Sequence, residues 1–336
     1  MTGLSSGLAL GVIIFVTMLW GSWFQVVKHT GDYPIYAFLS WLYVFSLGIV
    51  WGAIALLQDK MVPNGVWQEI TSDLPRAALV LLCGAMYAIG MQIQLVVVGR
   101  VGLILSTSVS ATCTILMGTV ISAIFGGLPA GVSFLTILGA AVLLVLATIV
   151  CQYAGVLRDT DIGKGAAAES KPIKTTKKDI VILLVASVVF APFYSLATSV
   201  GLRSALRPNG FSSLTCMGLL CIGAFVGTSI YTAVRLTKEK KWHIFLHPGK
   251  GMKIILLMAL IAAFCHFGGN VLHAIAAPVV SVVIATTLGN SYSMWSYVWG
   301  LAYGEFRGAH KKTYAILAAG VGLFLAGVIV LSLAST

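Results

Sequence analysis

The side chains able to do chemistry within this sequence are few, and they gather in a handful of places. His266, Asn270 and His273 follow one another at spacings of four and three, so on a helix they share one face over about 10 Å. Histidine titrates near neutrality and can both hydrogen-bond a solute and carry a proton, which makes His266 and His273 the candidates for ion coupling. Asn290 opens an aromatic run, Tyr292, Trp295, Tyr297 and Trp299, in which Ser291, Trp295 and Trp299 are four apart. Trp20 and Trp23, with Phe24 beside them, form a second aromatic cluster. Indole planes stack on the apolar faces of sugar rings while amides and hydroxyls take their OH groups. That chemistry nominates Trp23, Tyr87, Gln94, Tyr194, His266, Asn270, Asn290 and Trp295 as a binding set for a polyhydroxylated solute. Tryptophan also anchors membrane interfaces, which accounts for Trp299 near a span end better than for Trp20 or Trp295. Helix three adds Gln92. The run Ser106, Thr107, Ser108, Ser110, Thr112 and Thr114 places hydroxyls around much of a helix, where most can bond back to their own backbone.

What is missing excludes whole classes of function. All ten acids fall in loops or near span ends, so a paired-carboxylate hydrolase, a Walker-type nucleotide site and an acidic metal cage are absent. His266 and His273 are seven residues apart, too far for one ion, and no acid assists them; no metal and no cofactor is expected beyond a coupling H+ or Na+. A membrane-embedded enzyme, ranked below the other readings, would need a deep nucleophile–base pair or metal ligands, and only the histidine stripe could supply either. The six cysteines lie in apolar runs without ligand spacing and read as small hydrophobes in helix packing.

The elements that must position these residues are membrane helices. Of 336 residues, 59% are hydrophobic and only 9% charged, against about 25% charged in a soluble domain. Ten apolar stretches approach the ~20 residues needed to cross a bilayer: 7–27, 34–57, 77–98, 102–125, 133–156, 180–201, 212–234, 252–275, 279–303 and 313–334. No lysine or arginine precedes the first, which lacks the charged front of a secretory signal and is taken as a span. Seventeen of the 21 lysines and arginines fall on one side of this topology. That side is expected to be cytoplasmic, with both termini outside, in the cytoplasmic (inner) membrane. The net charge of +11 is then a topology signal and implies no nucleic-acid partner.

The chain also reads as two halves, 1–156 and 180–336, joined by a polar linker at 157–179. Residues 134–150 align with 314–330 at a constant offset, pairing Leu144 with Phe324 and Ala147 with Gly327. Equivalent helices five spans apart must cross in opposite directions, so the expected fold is an all-α membrane protein of ten helices arranged as a 5+5 inverted repeat, with a central site. Helix breaks at matching depth, at Gly21-Ser22 in the first span and Pro192 in the sixth, are the candidate hinges. Glycines four apart, Gly7/Gly11, Gly48/Gly52, Gly223/Gly227 and Gly300/Gly304/Gly308, are expected to let helix backbones approach closely.

Certain stretches carry a family resemblance. Gly84-Ala85-Met86-Tyr87-Ala88-Ile89-Gly90, Arg100-Val101-Gly102, Thr114-Ile115-Leu116-Met117-Gly118-Thr119, and Trp20-Gly21-Ser22-Trp23 followed by Lys28 are similar to the sugar branch of the drug/metabolite transporter superfamily, the rhamnose–proton symporters and glucose/ribose porters. Gly304-Glu305 and Gly320-Val321-Gly322 resemble that superfamily's last hairpin. The resemblance implies a secondary transporter importing a monosaccharide or sugar derivative by alternating access, driven by protons or sodium. Export of metabolites or amino acids is the alternative, and a non-transporting receptor ranks below it. The partners implied are a small-molecule substrate and the lipid bilayer.

Overall fold

A computed structural model describes residues 4–26, 29–31, 33–101, 103–163, 177–246 and 251–335. Lys28 and Arg100-Val101-Gly102 fall partly or wholly outside what it describes, as do the side chains of Phe24 and of Ser106 to Ser108. Among the described residues every element is helical, and strand-like pairing is confined to two isolated bridges within 202–211. In chain order the long elements are α1 (Ser6–Val26), α2 (Ile35–Met61), α3 (Leu74–Val101), α4 (Leu103–Gly126), α5 (Phe134–Asp161), α6 (Lys177–Gly201), α7 (Ser213–Glu239), α8 (Met252–Val280), α9 (282–302) and α10 (Lys311–Leu333). Nine of these, all but α9, are each long and apolar enough to cross a membrane. Leu56, Leu135 and Leu333 are more than 70% exposed, and many other large apolar side chains also face outward. Water would not tolerate that surface; hydrocarbon does. The protein is an all-α, multi-pass membrane protein.

Nine of the ten predicted spans are membrane-length helices, and some run further. The α5 helix continues to Asp161 and α7 to Glu239, five residues beyond the predicted ends. Polar side chains sustain those extensions, as in the Arg235–Glu239 pair one turn apart.

The breaks fall elsewhere than expected. The α1 helix passes through Gly21 and Ser22 without interruption. Gly21 is used for contact instead of bending: a Cβ there would stand 2.5 Å from the Tyr292 carbonyl oxygen and 2.6 Å from the Trp295 Cβ. In α6 the expected break is present. A π turn at Ala186–Phe190 leads to Pro192, and the helix restarts at Phe193. A second π turn, Phe264–Gly268, interrupts α8, while α9 splits into Val282–Gly289, a 3-10 turn at Tyr292–Met294, and Trp295–Ala302. The 279–303 stretch is therefore not one continuous span.

Packing centres on α7, whose membrane-spanning stretch is 67% buried, the highest of the nine. It lies against α3 and α2. Gly84, Gly223 and Gly227 bring the α3 and α7 backbones together; a Cβ at Gly227 would sit 2.5 Å from the Ala85 carbonyl oxygen. The α5–α10 pair uses Gly320 and Gly327 in the same way, against Cys151 and Leu144. The other glycine sets do not serve packing. Gly7, Gly11, Gly48 and Gly52 have nothing within 4 Å, and Gly304 and Gly308 adopt positive φ in the turn after α9. Spacing defines a helix face but not what that face meets.

Overpacking a close helix crossing costs about 1–3 kcal/mol. Gly223→Ala, whose new methyl would meet the Leu81 carbonyl, is expected to lower the melting temperature of the detergent-solubilised protein, and Gly48→Ala to leave it unchanged or raised. Melting followed by circular dichroism checks both.

Candidate functional site

A cavity of about 420 Å³ lies among α1, α3, α4, α5, α6, α8 and α9. Its walls run from Trp20, Tyr194, His266 and Asn290 in the bundle interior to Gln25, Arg158 and Glu305 at one end. That end also bears the helix termini at Val26, Asp161 and Ala302. The α2, α7 and α10 helices support the walls from outside.

Trp20 organises the inner part. Its indole N–H donates to the His266 carbonyl at 3.2 Å. Its ring meets Tyr194 edge-on at 5.4 Å, Tyr292 edge-on at 6.3 Å, and tilts over His273 at 5.2 Å. Gly269 and Gly289 make room for it, since a Cβ at either would lie within 3.0 Å of the indole. The π turn in α8 re-aims side chains, and His266 faces the cavity from within it. Tyr87 lies parallel to the imidazole, with its hydroxyl 3.4 Å from Nε2, and Trp23 covers the same ring at 5.4 Å. Nδ1 of His266 has no hydrogen-bond partner.

The amides are placed for donor and acceptor work. Asn290 donates to the Thr114 carbonyl at 3.1 Å, and Gln94 donates to the Ser110 hydroxyl. Both pairs belong to the cavity wall. The charged wall residues are Arg158 and Glu305, and they pair with each other at 2.9 Å. Arg158 also holds Asp159 at 2.7 Å and lies over the Phe306 ring. The inner cavity is thus aromatic and polar without formal charge. Among the described residues no group of three potential metal ligands occurs.

Of the residues expected to bind solute, Trp23, Tyr87, Gln94, Tyr194, His266 and Asn290 all line this cavity. Three expected residues lie outside its walls. Trp295 turns toward α1, where its indole donates to the Thr17 hydroxyl at 2.8 Å; one turn on, Trp299 does the same to Ser22. The break in α9 also separates Ser291 from their face. His273 sits behind the wall, with Nδ1 3.1 Å from the Tyr194 hydroxyl. Asn270 is buried with neither amide atom hydrogen-bonded. Of the predicted stripe of His266, Asn270 and His273 only the first reaches the cavity; both histidines meet α1, at Trp23 and Trp20, but Trp20 and Tyr194 cover His273. Gln92 packs away from the cavity, its amide 3.5 Å from the Thr232 hydroxyl. Sequence reasoning missed Gln25, Gln152, Ser293 and Ser296 as wall residues. Gln152 carried the same signal as Gln94, an amide inside an apolar run.

The other end of the bundle is shut. Thr119 and Thr287 bond across α4 and α9 at 2.9 Å, and Gly118 lets α4 press on Ser195 and Asn290. Beyond them Glu69, on a short helix (Val66–Ser72), accepts from Arg203 at 2.8 Å and from the Ser212 backbone N–H at 2.9 Å. Arg207 caps the Phe125 carbonyl at 2.6 Å. These contacts fasten the 202–212 loop over the closed end.

No protein-family model and no curated protein matches the chain. It is similar to a solved crystal structure that carries no functional name, with 98% of each chain aligned, a TM-score of 0.62 and 13% sequence identity. At that identity the likeness is one of fold.

Gly289→Ala would press a methyl to 2.9 Å from the Trp20 ring. The expected result is a shifted tryptophan emission maximum and a loss of about 1–3 kcal/mol of stability. Gly322→Ala, with nothing within 4 Å, should change neither quantity in fluorescence and melting measurements.

Proposed function

We propose that the chain is a secondary carrier working by alternating access on a small neutral solute rich in hydroxyls, a monosaccharide or a derivative of one. The observation that carries this reading is the cavity. It is walled by aromatic faces interleaved with amides and hydroxyls, opens toward one end of the bundle and is shut at the other. Stacking faces beside amides suit a sugar ring, and the mutual pairing of Arg158 and Glu305 leaves no net charge to select an ion.

The helix contacts support a 5+5 inverted repeat with halves at 1–156 and 180–336. Matching each helix to the one five spans later, α1 on α8 has its counterpart in α6 on α3, and α2 on α8 in α7 on α3. Likewise α4 on α6 corresponds to α9 on α1, while α2–α7, α4–α9 and α5–α10 are self-matching. This is the pattern of a two-fold related pair. Together with the sequence resemblance, this pattern leads us to propose the drug/metabolite transporter superfamily; its sugar branch rests on the resemblance alone. With the basic-rich ends cytoplasmic, the cavity opens inward and both termini lie outside. Coupling falls to His266, the titratable imidazole in the wall, or to a sodium ion held by hydroxyls and carbonyls.

A second reading, export of an amino acid, draws on the Arg158–Glu305 pair at the cavity mouth, since a zwitterion offers a partner to each member.

Uptake of labelled monosaccharides by sealed proteoliposomes tests the proposal. His266→Ala and Tyr87→Ala should each lower the rate at least tenfold, and Gly118→Leu, which wedges the shut end, should lower it comparably. Flux of amino acids with none of any sugar would overturn the substrate class. Binding of sugar without flux would overturn the carrier.

A further inference from the structure

The cavity is longer than one sugar ring. Tyr87 and Leu95 both wall it, and the eight-residue step along α3 from one to the other spans about 12 Å. Its volume is about 420 Å³, within the roughly 300–1,000 Å³ of small-molecule pockets. The chemistry also changes along that length. The inner part is aromatic, with Trp20, Trp23, Tyr87 and Tyr194 around His266. The part nearer the mouth is built of amides and hydroxyls: Gln25 from α1, Gln152 from α5, and Ser293 and Ser296 from α9. Two of these hold side-chain oxygens with no hydrogen-bond partner, Gln25 Oε1 and Ser293 Oγ, which are closed off from the cavity here and reach a ligand only after a side-chain rotation. A buried polar atom left alone is costly, and a ligand that meets it removes the cost.

We infer that the cavity has two adjoining compartments, and that its solute is two linked sugar units: one ring stacks in the aromatic compartment, and the second hydrogen-bonds to Gln25, Gln152 and Ser293. This inference rests on the sugar-carrier reading and narrows it from a monosaccharide to a disaccharide-sized glycoside. Neither compartment contributes net charge, so both units are expected to be neutral.

The test is binding to the purified full chain in detergent, by calorimetry or thermal shift. The probes are glucose, galactose and rhamnose, their methyl glycosides, and disaccharides that contain the same hexoses. At least one disaccharide should bind tenfold or more tightly than its component monosaccharides. Gln25→Leu should bring that ratio close to one, and Ser293→Ala, a smaller change that keeps the helix, should reduce it in the same direction. Equal affinity for disaccharide and monosaccharide would overturn the inference and leave the carrier reading standing. A disaccharide advantage unchanged in both variants would overturn the second compartment. Binding of no sugar of either size would overturn the sugar reading itself.

Discussion

The indole of Trp20 lies where α1, α6, α8 and α9 meet, and the inner cavity takes its shape from that meeting. The side chain is too large for a conventional crossing of four helices. Two glycines, Gly269 and Gly289, give up their side-chain space to it, and its N–H binds a carbonyl in the π turn of α8. Tyr194 and Tyr292 then stand edge-on to the ring, the favourable geometry for aromatic quadrupoles. Their positions set the cavity wall. Through Tyr194 the arrangement reaches His273, and through the π turn it reaches His266.

Around this centre the bundle is fastened by small residues and not by charge. In hydrocarbon there is no hydrophobic force between helices, so backbones must approach closely enough for dispersion to act. The α3–α7 and α5–α10 crossings meet that condition with glycine. Among the described residues ion pairs are kept to the two ends, where Glu69 holds Arg203 and Ser212 on one side and Arg158 holds Glu305 on the other. Glu69 is 5% exposed and satisfied on both oxygens, as a buried carboxylate must be. The middle of the bundle is thus uncharged, and its ends are fastened by charge.

The tryptophans show how one residue type divides between roles. Trp20 and Trp23 face the cavity, while Trp295 and Trp299 donate to Thr17 and Ser22 and bind α9 to α1. Both pairs satisfy a buried indole N–H or cover an aromatic wall, and both follow from the same local composition. The choice depends on which neighbour each ring finds.

Composition and apolar periodicity determined the helical membrane character, nine of the ten expected spans and the placing of the acids near span ends, because those follow from the solvent each segment must satisfy. They also nominated six wall residues, since polar and aromatic side chains in an apolar run have few reasons to be there. Only the tertiary structure decided which face of each helix meets the cavity. His266 lines the cavity while His273 and Asn270 do not, because Trp20 and Tyr194 cover His273 and Asn270 is buried in the bundle. Gly21 packs instead of bending because a partner backbone lies against it. Gln25, Gln152 and Ser293 join the wall through the packing of α1, α5 and α9 on one another. Those are contacts between distant segments, and no local pattern encodes them.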